Sequence, residues 1–88
     1  MNTIAEEPVR TITDIARDCL QDWGKPYFGA VPYLDAMLTL GNIRQSYGHD
    51  SAASIVLYFL SNATTWRGAT ARKCKAELRA MLTTGVRI

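Results

Sequence analysis

The stretch Asp50-Ser51-Ala52-Ala53-Ser54-Ile55-Val56-Leu57-Tyr58-Phe59-Leu60-Ser61-Asn62-Ala63 decides the fold. Its centre, Ile55 to Leu60, is an unbroken apolar run that reads in two ways. Isoleucine, valine, tyrosine and phenylalanine favour a strand. The small and polar flanks, with Asp50 placed to cap, favour a helix. On a helical wheel Ala52, Ala53, Ile55, Val56, Leu57, Phe59, Leu60 and Ala63 cover well over half of the circumference, leaving a sector to Ser54, Tyr58, Ser61 and Asn62. A helix apolar on most sides belongs in the middle of a bundle. The expectation is therefore an all-α fold, a small compact bundle of about four helices, in which this one is surrounded by three amphipathic partners.

Upstream, Ile12, Ile15, Ala16, Cys19, Leu20 and Trp23 recur at helical spacing and predict a helix over 11–23. Thr11 caps it, with Asp14 closing an acidic variant of the capping box. Gly24 and then Lys25-Pro26 stop it. Tyr27-Phe28-Gly29-Ala30 reads as a connector whose two aromatics pack against the core edge. A second helix is expected from Pro32, with Leu34, Met37 and Leu38 inward and Gly41 at its end. Residues 42–47 are expected to add one short helical turn, capped by Asn42 and ended by Gly48.

Downstream, Trp66, Thr70, Cys74, Leu78 and Met81, joined by Ala71 and Leu82, predict a fourth helix over 65–82. Thr65 is the expected cap, with Thr70 as an alternative start, and Thr83-Thr84-Gly85 the end. Residues 1–8 lack periodicity and finish on a proline, which reads as a flexible leader ahead of a single helical domain over 9–88.

A chain of 88 residues holds one domain, and 48% hydrophobic content is enough to build its core. The first residues show neither a basic nor an apolar segment of the secretory type, and no apolar run approaches a membrane span. The net charge of +2 makes no general case for nucleic acid or membrane. Its distribution is uneven, however. Residues 66–88 carry Arg67, Arg72, Lys73, Lys75, Arg79 and Arg87 against Glu77, a balance of +5, and residues 1–65 carry −3. Such a split has two readings: oppositely charged surfaces that meet within one fold or across a dimer, or a surface kept for a charged partner.

No constellation with catalytic or metal-binding chemistry emerges. His49 is the only histidine and has no cysteine at ligand spacing. Cys19 and Cys74 fall on core-facing stripes and read as buried free thiols. Ser51 does not stand in a Gly-x-Ser-x-Gly elbow. Asp14, Asp18 and Asp22 line up four apart as an acidic stripe, which is either a solvated face or a docking face for a basic partner. Arg72, Lys75 and Arg79 occupy a narrow arc of the fourth helix and, with Arg67 ahead of them, form the best candidate for contact with a partner or with nucleic-acid phosphates. No helix-turn-helix pattern accompanies them. Glu77 is expected to pair with Arg10 or Arg17. Of the aromatics Trp23, Tyr27, Tyr33, Tyr47, Tyr58 and Trp66, most should fill the core, and any left exposed would mark an interface.

Several segments resemble small proteins of actinobacterial phages and prophages: Pro32-Tyr33-Leu34-Asp35-Ala36-Met37, Tyr47-Gly48, Asp50-Ser51-Ala52, Tyr58-Phe59-Leu60-Ser61-Asn62-Ala63 and Thr65-Trp66-Arg67-Gly68, followed by Ala71-Arg72, Lys75 and Glu77-Leu78. The resemblance spans residues 10–82, with Trp66-Arg67-Gly68 its most specific part. That group has no assigned activity, so it implies no site residues. It implies a phage origin and a place in the cytoplasm of the bacterial host. The resulting expectation is a non-enzymatic interaction protein that binds a host protein or itself, without a cofactor, a metal or a membrane. The alternative is a nucleic-acid-binding accessory protein that uses the basic face of the C-terminal helix.

Overall fold

The start of the first helix is fixed by two reciprocal hydrogen bonds. In the computed structural model, which describes residues 10–48 and 50–86 apart from the side chains of residues 47 and 84–86, Thr11 Oγ1 accepts from the Asp14 N–H and Asp14 Oδ2 accepts from the Thr11 N–H, each at 3.0 Å. This is the expected capping box, and it holds the Asp14 carboxyl below the usual range. Helix α1 then runs over Ile12–Asp22 and buries Ile12, Ile15, Ala16 and Cys19, with Trp23 inward at its end. Leu20, expected on the same stripe, stays exposed. The leader expected over 1–8, together with His49 and Arg87, lies outside the described residues.

A single 3-10 turn, Phe28–Ala30, leads into helix α2, Val31–Met37. Pro32 sits in its first turn, where a missing N–H has no cost. The helix does not reach Gly41. After Met37 the chain tightens, with Thr39 N–H donating to Ala36 O and Leu40 N–H to Met37 O. The carbonyls at this end find a partner from another helix. Thr13 Oγ1 of α1 lies 3.3, 3.2 and 2.9 Å from the carbonyl oxygens of Met37, Leu38 and Leu40. Its single proton serves one acceptor at a time, and the hydroxyl caps α2 from outside. Thr13→Val keeps the shape and removes that donor, so it should lower stability by about 1 kcal/mol, while Thr13→Ser should cost less. Urea denaturation midpoints of the two variants measure the difference.

The helical turn expected over 42–47 is replaced by turns and a minimal hairpin. Asn42 Oδ1 accepts from the Arg44 N–H at 2.9 Å. Gln45 Oε1 accepts from the Asn42 N–H at 2.9 Å and from the Gly41 N–H. With the Gln45 N–H donating to the Asn42 carbonyl at 3.2 Å, these side chains make one capped turn at Asn42, which is not continued as a helix. Strand β1, Ser46–Tyr47, pairs antiparallel with β2, Asp50–Ser51, around Gly48.

Ile55–Leu60 is helical, within α3, Ala52–Ser61. Its cap is Ser51 rather than the expected Asp50: Ser51 closes the hairpin and its Oγ accepts from the Ser54 N–H at 3.1 Å. The helix is not the centre of the bundle. It buries Ala52, Ile55, Val56 and Phe59, but Leu57 and Tyr58 are 53% and 50% exposed. The four helices instead form a ring around a shared core: α1 packs on α4, α4 on α3, α3 on α2 and α2 on α1. A domain this small lacks the material to surround one helix on all sides.

Helix α4 spans Ala69–Val86, later at both ends than the spacing predicts. Gly68, at φ +109°, turns the chain in a conformation that disfavours side chains, and its carbonyl accepts from the Arg72 N–H at 3.0 Å. Trp66 therefore precedes the helix and reaches the core from irregular chain. Thr83 does not end the helix, since its hydroxyl donates back to Arg79 O at 3.1 Å inside it. The result is a compact, mostly helical four-helix fold, with Trp66, Phe59, Ile12, Ile15, Leu34, Met37 and Leu78 at its heart.

Candidate functional site

The basic quartet picked out by spacing separates into two groups. Arg67, Arg72 and Arg79 are exposed. Lys75 is half-buried and turns inward, donating from Nζ to the Trp66 carbonyl oxygen at 2.6 Å and lying 5.9 Å from the centre of the Trp66 ring. Burial pulls its pKa down, and the fields of Arg79 and Arg67 pull in the same direction. Lys75 thus satisfies a backbone carbonyl and packs its stem on an aromatic ring. Among the described residues the ion pairs all belong to Arg10, which binds Asp18 at 2.5 Å and Glu77 at 2.6 Å. Among those residues the three arginines of the candidate face have no such partner.

The acidic stripe of α1 is spoken for within the fold. Asp14 closes the capping box, Asp18 accepts from Arg10, and Asp22 Oδ2 accepts from the Trp66 indole N–H at 2.8 Å. Glu77 pairs with Arg10 rather than Arg17.

A second surface is aromatic. The connector does not pack its rings away: Phe28 is 79% exposed and Tyr27 46%. Their centroids lie 4.8 Å apart. Tyr27 continues toward α3 across Gly29, where an added Cβ would lie 2.5 Å from Tyr27 Cε2 and 2.8 Å from Asn62 Oδ1. Only glycine lets the ring, the turn and the end of α3 approach so closely. Asn62 Nδ2 donates to the Tyr58 carbonyl at 2.8 Å, and the Tyr58 ring meets that of Tyr33 on α2 at 5.4 Å. Tyr27 with Phe28 and Tyr58 with half-buried Tyr33 are thus two aromatic pairs on either side of Gly29 and Asn62, with Val31 exposed at the start of α2, and together they make up an aromatic edge. Its polar margin is the Tyr hydroxyls and Asn62.

No family model, curated protein or solved structure matches this chain.

An open hollow of about 340 Å³ lies between α1 and α4, lined by Asp18, Gln21, Asp22, Thr70 and Lys73. Two of its carboxylates already serve Arg10 and Trp66. Cys19 and Cys74 are free and buried, and burial raises both thiols, Cys19 to about 12. Neither is activated as a nucleophile. Among the described residues no group of three or more His, Cys, Asp or Glu is placed to hold a metal ion, and no helix is long and apolar enough to cross a membrane. Sequence reading missed the exposure of Tyr27 and Phe28. The available signal was their place in Gly24-Lys25-Pro26-Tyr27-Phe28-Gly29, where no periodicity assigns an inward face.

Proposed function

We propose that this chain is a non-enzymatic interaction protein that docks on another protein through the aromatic edge of Tyr27, Phe28, Val31, Tyr33 and Tyr58. The observation that carries the reading is Phe28, a large apolar side chain 79% exposed beside further exposed aromatics. Water gains most when such surface is covered, and aromatic anchors with a polar margin are what the centres of protein interfaces are made of. Tyrosine and phenylalanine also lose little rotamer entropy on docking. The partner is a protein of the bacterial host, as a phage origin would imply, or a second copy of the chain.

Phe28→Glu places a charge at the centre of the edge without touching the core. Wild-type protein should either self-associate with rising concentration in sedimentation velocity or retain a specific protein from an actinobacterial lysate. Phe28→Glu should abolish whichever is seen, by a factor of at least about 30, the equivalent of losing one anchor worth roughly 2 kcal/mol. A wild-type chain that stays monomeric at every concentration and retains nothing that Phe28→Glu fails to retain would sink the reading.

A further inference from the structure

We infer that the outward face of α4 docks on the phosphate backbone of duplex DNA, with Arg72 and Arg79 as the phosphate-binding pair and Arg67 flanking them. This site is separate from the aromatic edge and does not depend on it.

The face is built from Ala69, Arg72, Ala76, Arg79, Ala80 and Thr83, all exposed. It holds no acidic side chain and no large apolar one. Its alanines let the helix backbone come close to a rigid surface, and its arginines reach past them. Arg72 and Arg79 stand two turns apart on one line, about 10.5 Å along the helix axis at 1.5 Å per residue. Laid along a duplex axis, that separation covers the rise of about three base pairs, within which two long side chains can reach separate phosphates. A guanidinium offers paired donors that suit phosphate oxygens.

Among the described residues no acidic side chain pairs with Arg67, Arg72 or Arg79. Glu77, the acidic residue of the α4 sequence, is held by both ends of the Arg10 fork on the inner side of the helix. Burial lowers the Lys75 ammonium most, and the fields of Arg79 and then Arg67 add to it, so these cations repel one another along α4. An external anion relieves that repulsion, and a polyanion relieves it at several points together.

The same features select the class of partner. A protein partner needs an apolar centre to exclude water, which this face lacks and the aromatic edge supplies. Single-stranded nucleic acid needs aromatic rings on which bases can stack, and none stands here. A duplex backbone asks only for correctly spaced cations and a surface that can approach it. Lys73, beside Asp18 and Asp22 at the hollow, borders the face on the α1 side.

The test is fluorescence anisotropy of a labelled DNA duplex of about 20 base pairs, titrated across salt from about 25 to 300 mM, with the full chain. Wild-type affinity should fall with a log–log slope of about −2 to −3, the signature of two or three phosphates neutralised at about 0.9 per contact. Arg72→Glu/Arg79→Glu should weaken binding at least tenfold and take about 2 off the slope. Arg17→Glu/Arg44→Glu makes the same change of net charge at exposed positions elsewhere, and should leave the slope intact. Circular dichroism should show both double variants folded, since all four arginines are exposed. Absence of wild-type binding at low salt would overturn the inference. So would equal weakening by the two double variants, equal competition by polyglutamate, or a tenfold preference for duplex RNA or for single strands.

Discussion

Trp66→Ala should leave the chain largely unfolded at 25 °C. The indole is buried and stacks on Trp23 with centroids 5.9 Å apart and planes 9° from parallel. It presents its face or edge to Phe59 at 6.3 Å. Its N–H donates to Asp22, and the backbone carbonyl of the same residue accepts from Lys75. One residue therefore ties the end of α1, the inner side of α3 and the first turns of α4. Truncating a buried tryptophan to alanine costs about 3–5 kcal/mol, because transfer and cavity terms add. A domain of this length has on the order of 4–13 kcal/mol in total, and small domains lie toward the lower end. Trp66→Phe keeps most of the ring contact and gives up the indole donor, so it should remain folded with a loss of about 1–2 kcal/mol. Far-UV circular dichroism across a urea titration reads both. Cooperative unfolding of Trp66→Ala at the wild-type midpoint would show that the core closes without its central ring.

That residue also marks where sequence reading stops. Trp66, Thr70, Cys74 and Leu78 fall at helical spacing, yet Trp66 belongs to no helix. Periodicity reports which side chains point inward, and an irregular segment held by Gly68 can aim a side chain inward just as well. Local signals were legible wherever two short-range features agreed. Thr11 with Asp14 three residues later fixes the start of α1, and the flanks of Ile55–Leu60 settle helix against strand. Signals that depend on a distant partner were not. The place of α3 in the ring depends on how much chain is left to cover it. The turn capped by Asn42 stops at Gln45, and the pairing of Ser46 with Ser51 and of Tyr47 with Asp50 that follows is a contact between two segments that no periodicity announces. For the surfaces the pattern is the same. Arg72 and Arg79 could be placed on one line by counting, but the inward turn of Lys75 depends on a carbonyl nine residues away. The aromatic edge joins a connector to two helices, and nothing in linear spacing announces such a junction.

Arg10→Ala should detach the entry of the chain from α4 and lower stability by about 2 kcal/mol. Arg10 Nε and Nη2 bind the two oxygens of Glu77 at 3.0 and 2.6 Å, a bidentate fork across 67 residues of sequence, while Nη1 holds Asp18 at 2.5 Å. The three side chains are only partly screened by water, which places the fork above the exposed pairs worth about 0–1 kcal/mol and below a fully buried one. Both carboxylates strengthen the hold of Arg10 on its proton, so the fork stays charged wherever the protein is folded. Arg10→Lys keeps the charge but offers a point rather than a fork, and should recover less than half of the loss. A second readout separates this fork from a merely electrostatic tether. Arg10 Nη2 also lies 3.8 Å from Cys74 Sγ and covers the thiol, which burial otherwise keeps protonated. Arg10 also lowers the Cys74 thiol, so its loss makes the thiolate scarcer, but access governs a side chain with no exposed surface. In Arg10→Ala, Cys74 should react with an aromatic disulfide reagent several-fold faster under native conditions, while Cys19, raised to about 12, should not change. Peptide mapping assigns the modified cysteine. If Arg10→Ala melts at the wild-type midpoint with Cys74 still protected, the fork rests on the surface without closing it, and α1 is held to α4 by its apolar face alone.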